Sequence, residues 1–488
     1  MGKTKTRSHW LVLALLALAQ FMVVLDVSIV NVALPKLQSS LGLSPTNPQW
    51  IVTAYTLAFG GFLLLGGRAA DLFGRRKVFL FGIIFFVIAS LADGMATSGT
   101  MLIVLRAVQG LAAAFMSPAA LSIVLVTYKE GHERNIALSV WAAVAAGGAA
   151  VGLLLGGVLT EYLGWRANFL VNIPVGLLVA YGVSRLVPKH DSEETHSDLD
   201  LPGAVTVTAG LMLLVYGLVK APSYGWTNHT TLLFLGGAVA LLVAFVMNEK
   251  RAKHPLVPLG IFKVRNLTGA DLTQLPLAAA MFSTFYFTSI YLQNIQHYSP
   301  VITGLSFLVM PVVLAASAAN APRLVKRIGY KKILMVAPLF VATALFWLAH
   351  LPVHVNYWVN ILPAFVVMAI GMGFSFVSVT IAATSGVPQR ESGLASGLLN
   401  TAQQIGGSLG LAILTGVAAS KTTSYFMHHM QPGTPLQTIK NTAMVHGLHA
   451  AFYIGATFAI GAAILATLII KQRATVAEGA DAPAGAIH

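Results

Sequence analysis

The strongest constraint on this chain is a repeated one. Long apolar stretches, each near or above 18 residues, follow one another from end to end. The first runs from Trp10 to Leu34 with a single charged residue, Asp26. Similar stretches occupy 50–70, 77–96, 101–127, 137–160, 168–187, 203–220, 231–248, 268–293, 302–322, 333–350, 358–381, 394–419 and 448–470, fourteen in all. A transmembrane helix needs about 20 mostly apolar residues. In hydrocarbon every backbone N–H and C=O must be satisfied within the segment, which a helix achieves. Barrel strands would instead show alternating segments of about ten residues. Only 9% of the 488 residues are charged, against about 25% in an ordinary soluble domain. Mean hydropathy is +0.77. These features exclude a soluble enzyme and a disordered chain, and the absence of cysteine excludes disulfides and thiolate metal sites. The fold class expected is an all-α polytopic membrane protein with 14 transmembrane helices. The first stretch is too long for the h-region of a signal peptide and is read as an uncleaved span.

The 30 Lys and Arg residues sort by side. With the N-terminus inside, 24 fall on the inner side, and five (Lys36, Arg166, Lys220, Lys421 and Lys440) on the outer. Arg106 alone lies deep within a span; Arg68, Lys77, Arg185 and Lys220 stand within two residues of a stretch's end. This is the positive-inside pattern. It predicts a multi-pass protein of the cytoplasmic (inner) membrane with both termini cytoplasmic. It also accounts for the net charge of +14 without nucleic acid as a partner.

Two basic, glycine-containing loops read alike. Gly67, Asp71, Gly74, Arg75, Arg76 and Lys77 form one, and Arg323 through Gly329 to Lys331 and Lys332 form the other. Matching them requires the second half to begin near 268. Residues 1–187 then form a first six-helix half and 267–473 a second. Residues 188–266 are a linker carrying two inserted helices, and 474–488 an Ala/Gly-rich tail expected to be disordered. Internal duplication is characteristic of secondary transporters.

Four local patterns carry chemistry. Asp26 lies in the first span, with Asn31 five residues on. A carboxylate there needs a partner, a proton or water, so Asp26 reads either as a structural hydrogen-bonding group or as a proton-titrating one. The Gly67–Lys77 loop reads as a topogenic basic loop or as a latch between gating helices, with Gly74 permitting a tight turn. Arg106 and Gln109 lie in span 4, at a depth close to that of Asp26. An arginine in a span faces the bundle interior and a counter-charge, so the two form either a permanent ion pair or an exchanging one. Gly148, Gly152, Gly156 and Gly157 in span 5 let helices approach closely.

Together, across about residues 10–470, these patterns resemble the major facilitator superfamily, specifically its fourteen-helix drug:proton antiporter branch. Leu25-Asp26 through Asn31 to Pro35 is similar to the branch's first-helix signature. Gly67–Lys77 is similar to the superfamily's inner-loop motif, with Ala69 and Leu72 departing from it. Arg106 to Gly110 is similar to a motif placed in proton coupling. The span-5 glycines are similar to the antiporter motif without its proline. The resemblance implies a major facilitator fold of two six-helix halves plus two inserted helices. It implies proton coupling at Asp26 and Arg106, and gating by Gly67, Asp71, Gly74, Arg75, Arg76 and the four glycines of span 5.

Polar and aromatic residues that would face a substrate cavity are Asn31, Tyr55, Gln109, Gln274, Phe282, Tyr286, Asn400, Gln403 and Gln404. Aromatic rings suit planar or cationic compounds, and Asn400, Gln403 and Gln404 share a helix side at i, i+3, i+4 spacing. Asp271 is expected to be partly solvated at the inner end of span 9. His428, His429, His446 and His449 lack carboxylate support, and no metal site is expected. No phosphate-binding loop occurs, and no cofactor or enzymatic constellation is expected. The function expected is proton-coupled efflux of amphipathic, drug-like small molecules by alternating access, in a monomer. The alternatives are a transporter of one specific metabolite or antibiotic, and a non-transporting receptor or scaffold.

Overall fold

The computed structural model describes residues 2–44, 47–128, 132–188, 199–225, 227–353, 355–388, 391–429 and 435–472. The expected tail 474–488 and residues 189–198 at the start of the linker lie outside them. Among the described residues the chain is helical throughout, with fourteen principal helices. These are α1 (Gly2–Ser40), α2 (Gln49–Phe73), α3 (Arg75–Gly94), α4 (Gly99–Thr127), α5 (His132–Tyr162), α6 (Ala167–Leu186), α7 (Leu201–Tyr224), α8 (His229–Arg251), α9 (Arg265–Ile295), α10 (Pro300–Ile328), α11 (Tyr330–Leu348), α12 (Tyr357–Thr384), α13 (Ser392–His429) and α14 (Leu436–Ile469). Each is long enough to cross the hydrocarbon core at 1.5 Å per residue. The protein is a multi-pass membrane protein.

Two differences from the sequence reading have simple causes. Helix α1 continues past Leu34 to Ser40, because a proline one turn inside a membrane helix need not end it. The segment 420–446, which the sequence leaves between the apolar stretches 394–419 and 448–470, is helical up to His429 and again from Leu436. No glycine or proline interrupts those two stretches. Tyr425 bridges them, with its ring 4.0 Å from that of His429 and 4.8 Å from that of His446. His449 meets the Leu351 carbonyl at 2.7 Å. Asp271, expected to be partly solvated, is buried.

The two basic loops fold alike. Gly74 (φ 91°, ψ 125°) ends α2 and starts α3 in one step, and Gly329 (φ 86°, ψ 149°) does the same between α10 and α11. Positive φ at these values favours glycine, so both glycines fix a tight reversal at the end of the molecule that bears the basic loops. We call that the basic end and its opposite the far end.

The core is organised unevenly along the membrane normal. One large apolar cluster joins α1 (Leu25, Ile29, Leu37) to α9, α10 and α12 (Tyr286, Phe307, Phe365) toward the far end. Toward the basic end there are two separate clusters. One is built from α1, α3 and α4 (Val12, Phe79, Ile123), the other from α11, α12 and α13 (Leu334, Val379, Leu398). The space between them is a cavity.

Helix α7 packs against both α2 and α13, and α8 packs on α7. The outer face of α8 (Leu232, Leu233, Val239, Val243, Val246, Met247) is exposed, as suits contact with lipid. A polar clamp fixes this pair at the basic end. Asp200 caps α7 by accepting from the Gly203 N–H at 2.8 Å, and accepts from Asn248 of α8 at 2.7 and 2.9 Å. It also takes the Leu256 N–H at 3.4 Å, while Glu249 takes the Val257 N–H at 2.8 Å. Burial acts to raise the Asp200 carboxyl, but hydrogen bonds from Gly203, Asn248, Glu249 and Leu256 hold it below the usual carboxylate range. Asp200→Ala should therefore lower stability by about 1–2 kcal/mol, the upper range for a lost helix cap. The stabilisation is complete above the usual carboxylate range and is lost as pH falls through the depressed value. Thermal unfolding of the detergent-solubilised variant should show its full deficit at neutral pH and a shrinking one in acid.

Candidate functional site

A cavity of about 1440 Å³ opens between the halves. Its walls come from α1 (Val23, Val27, Asn31), α2 (Phe59, Leu63), α4 (Ser117, Leu121) and α9 (Gln274, Met281, Phe282), and from α12 and α13. Of the residues expected to face it, Asn31, Gln274, Phe282, Asn400, Gln403 and Gln404 do so. Amide groups thus punctuate a mainly apolar wall, the composition suited to an amphipathic guest. Tyr55, Gln109 and Tyr286 do not line it. Tyr286 is buried edge-on against Phe287 in the far-end cluster. Tyr55 and Gln109 are drawn into a charged cluster described below.

The cavity reaches the basic end, where Gly67, Arg68 and Asp71 line it together with Lys253, His254 and Pro255. The last three belong to the strap that the Asp200 clamp holds, so the inserted helices contribute to the mouth. Sequence reading did not assign them that place, because nothing local in the strap marks it. Beside the mouth, Arg75 lies 3.7 Å from Asp71, and Arg76 donates to the Ser184 carbonyl of α6 at 2.5 Å.

The far end is closed. Ser289 donates to the Asn31 carbonyl at 2.8 Å, and Gln293 to the Val32 carbonyl at 2.9 Å. The Val301 N–H donates to Glu161 at 3.0 Å. The span-5 glycines are packing surfaces. Gly148 faces Val24, Gly152 faces Leu25 and Ser28, and Gly156 faces Ile29, all on α1. Gly157 faces α10, where an added Cβ would stand 2.5 Å from the Pro300 carbonyl oxygen. Glycine at these positions allows the backbones of α1, α5 and α10 to touch.

Behind the cavity wall lies the charged cluster. Asp26 and Arg106 are both essentially inaccessible to solvent. Arg106 Nη1 donates to Asp26 Oδ2 at 2.5 Å, while Gln109 and Asn172 donate to Oδ1 at 3.0 and 2.9 Å. Arg106 also donates to the Gln109 side-chain oxygen, and through Nε to the Ile51 carbonyl at 3.1 Å. The Tyr55 ring lies 4.3 Å from its guanidinium carbon. Close approach of α4 to α2 makes this possible, since any side chain at Gly110 would run into the Tyr55 carbonyl. Ser90 of α3 accepts from Gln109 at 3.2 Å and from Asn172 at 3.0 Å, and donates to the Phe169 carbonyl at 2.8 Å. The cluster thus unites α1, α2, α3, α4 and α6.

Sequence reading gives Ser90, Asn172 and Asp93 no role. Asp93 sits in the last turn of α3, wholly buried, and neither carboxylate oxygen has a hydrogen-bond partner. An acid inside the apolar stretch 77–96 was the available signal for it. Ser90 and Asn172 carry no such mark, because one serine or asparagine in a membrane helix is common.

Comparison with known proteins agrees with this architecture. Residues 16–411 match the family described as the Major Facilitator Superfamily. The puromycin resistance protein of Streptomyces alboniger is 40% identical over 474 residues, covering 96% of this chain and 93% of that one. The cephamycin export protein of Amycolatopsis lactamdurans is 38% identical over 425 residues, covering 86% and 87%. Among solved structures, a bacterial homolog of the human lysosomal transporter Spinster, inward-facing and unoccupied, aligns with a TM-score of 0.70. It is 15% identical and covers 95% of this chain and 97% of that one, a likeness of fold.

Removing one partner of a buried ion pair costs about 3–5 kcal/mol, because the other charge is left uncompensated. Asp26→Ala should therefore lower the melting temperature sharply, and adding Arg106→Met should restore much of the loss. A melting temperature for Asp26→Ala equal to that of wild type would show that the pair does not support the fold.

Proposed function

This chain belongs to the Major Facilitator Superfamily, and from that premise we propose that it is a proton-coupled exporter of amphipathic, drug-like small molecules, working by alternating access across the cytoplasmic membrane. The observation that carries this reading is a large cavity open at the basic end, closed at the far end, with a buried carboxylate–arginine pair behind its wall. The positive-inside rule assigns the basic end to the cytoplasm, with both termini there, so the cavity faces the side from which an exporter loads. The relatives support export: they are named for resistance to, or export of, puromycin and cephamycin. No phosphate-binding loop occurs in the sequence, and an ion gradient is the remaining source of energy.

The mechanism follows from the geometry. A guest enters between the halves 1–187 and 267–473 and meets Phe282 and the amides of Asn31, Gln274, Asn400, Gln403 and Gln404. Rocking of the halves opens the far-end contacts of α1 and α5 with α9 and α10, and closes the mouth beside Gly67–Arg76. Asp26 is the coupling carboxylate and Arg106 its counter-charge. A proton arriving from outside neutralises Asp26 and frees Arg106, which changes how α1 and α4 are held together. Returning the proton to the cytoplasm restores the pair seen here. The unit proposed is a monomer, with 188–266 as an inserted element.

Relatives named for single antibiotics favour a narrower second reading, export of one antibiotic or metabolite. A susceptibility panel that includes puromycin separates the two readings, since resistance confined to one compound supports the narrow one. For coupling, proteoliposomes with an imposed pH gradient should accumulate a cationic dye. Asp26→Asn, which retains the size and part of the hydrogen bonding, should reduce that accumulation by about tenfold or more. Undiminished gradient-driven accumulation by this variant would overturn the coupling role of Asp26.

A further inference from the structure

The buried cluster contains one more acid than its arginine can serve. Asp26 has three side-chain donors, from Arg106, Gln109 and Asn172. Asp93 has none, although it is no less buried. It lies one turn from Ser90 on the same face of α3, and Ser90 is bonded to the two amides that hold Asp26. The charged and titratable groups facing it are Arg106 from α4 and Asp26 from α1, with both of which it interacts electrostatically, and Tyr55 from α2. Arg166, before α6, is occupied: it donates to the Ala96 carbonyl at 3.0 Å and stacks on Trp165 at 4.3 Å. Of the two acids in the cluster, Asp93 is the one beside a helix end at the far surface. Helix α3 ends at the next residue, Gly94, and Met95 is 63% exposed.

An ionised carboxylate buried without a donor is strongly disfavoured, and neutralisation is the usual escape. With Asp26 ionised against Arg106, a protonated Asp93 brings the cluster to zero net charge. We propose that Asp93 is the proton port of the coupling site. It takes a proton from the outer medium, holds it while Asp26 is paired with Arg106, and passes it to Asp26 when that pair opens. In the transfer the O–H bond on Asp93 breaks and one forms on Asp26. Arg106 moves from Asp26 to the newly ionised Asp93, and the cluster's net charge stays at zero. This assignment rests on the proton-coupled export reading.

The test uses the full chain in proteoliposomes with a cationic dye. Dye exchange at equal pH on both sides needs no net proton movement, whereas gradient-driven accumulation does. Asp93→Asn should keep exchange within about twofold of wild type and lose about tenfold or more of the accumulation. Asp93→Glu should restore accumulation with a displaced pH profile. A structural role would depress exchange and accumulation together in Asp93→Asn, and that outcome overturns the proposal, as does full accumulation. Independently, infrared absorption of wild type minus Asp93→Asn should contain a protonated-carboxyl C=O band, and its absence also overturns the proposal. If wild type itself shows no gradient-driven accumulation, the export reading fails, whereas the infrared difference still reports whether Asp93 holds a proton.

Discussion

The contact on which the rest of this structure depends is the ion pair between Asp26 and Arg106. Two opposite charges out of reach of water are tolerable only if their remaining donors and acceptors are also satisfied. That requirement recruits Gln109 from the same helix, Asn172 from α6, the Ile51 carbonyl and Tyr55 ring from α2, and, through the amides, Ser90 from α3. Five of the first six helices are thus fixed around one point. Because the pair lies behind the cavity wall rather than in it, a change in its charge acts on helix packing and not on the guest directly.

A second constraint is close backbone approach. In lipid there is little hydrophobic drive between helices, so association relies on packing, and small residues permit it. The glycines of α5 place α1 and α10 on opposite sides of one helix, which makes α5 the connection between the halves at the far end. Toward the basic end the apolar core of the described residues splits into two clusters. The cavity is the space left by that split. Helix α7 packs on α2 and α13, and its clamp to α8 positions the strap at the mouth.

The helices themselves were legible, because a 20-residue apolar stretch has few other structures available to it. Thirteen form long apolar spans, and the fourteenth, α5, contains the shorter apolar segment Ala150–Tyr162. Helix ends were less legible. Pro35 did not stop α1, and Lys421–His429 continued α13, because polar residues beyond the bilayer are compatible with a helix. Among candidate cavity residues, Asn31 and Gln404 reach the cavity while Tyr55 and Gln109 serve Arg106. Both sets look alike in sequence, as polar residues in apolar helices, and only the rotation of each helix separates them.

The sequence by itself determined that this chain crosses the membrane many times, which end carries its basic loops, and that Asp26 and Arg106 are exceptional. These conclusions follow from the free energy of placing charge and backbone in hydrocarbon, which is a property of each segment alone. Tertiary structure alone decided that the two charges meet, that Asp93 stands beside them without a donor, and that the halves are joined at one end and parted at the other. Those facts depend on distances between helices distant in the chain, set by where glycines let backbones touch, and no single segment encodes them.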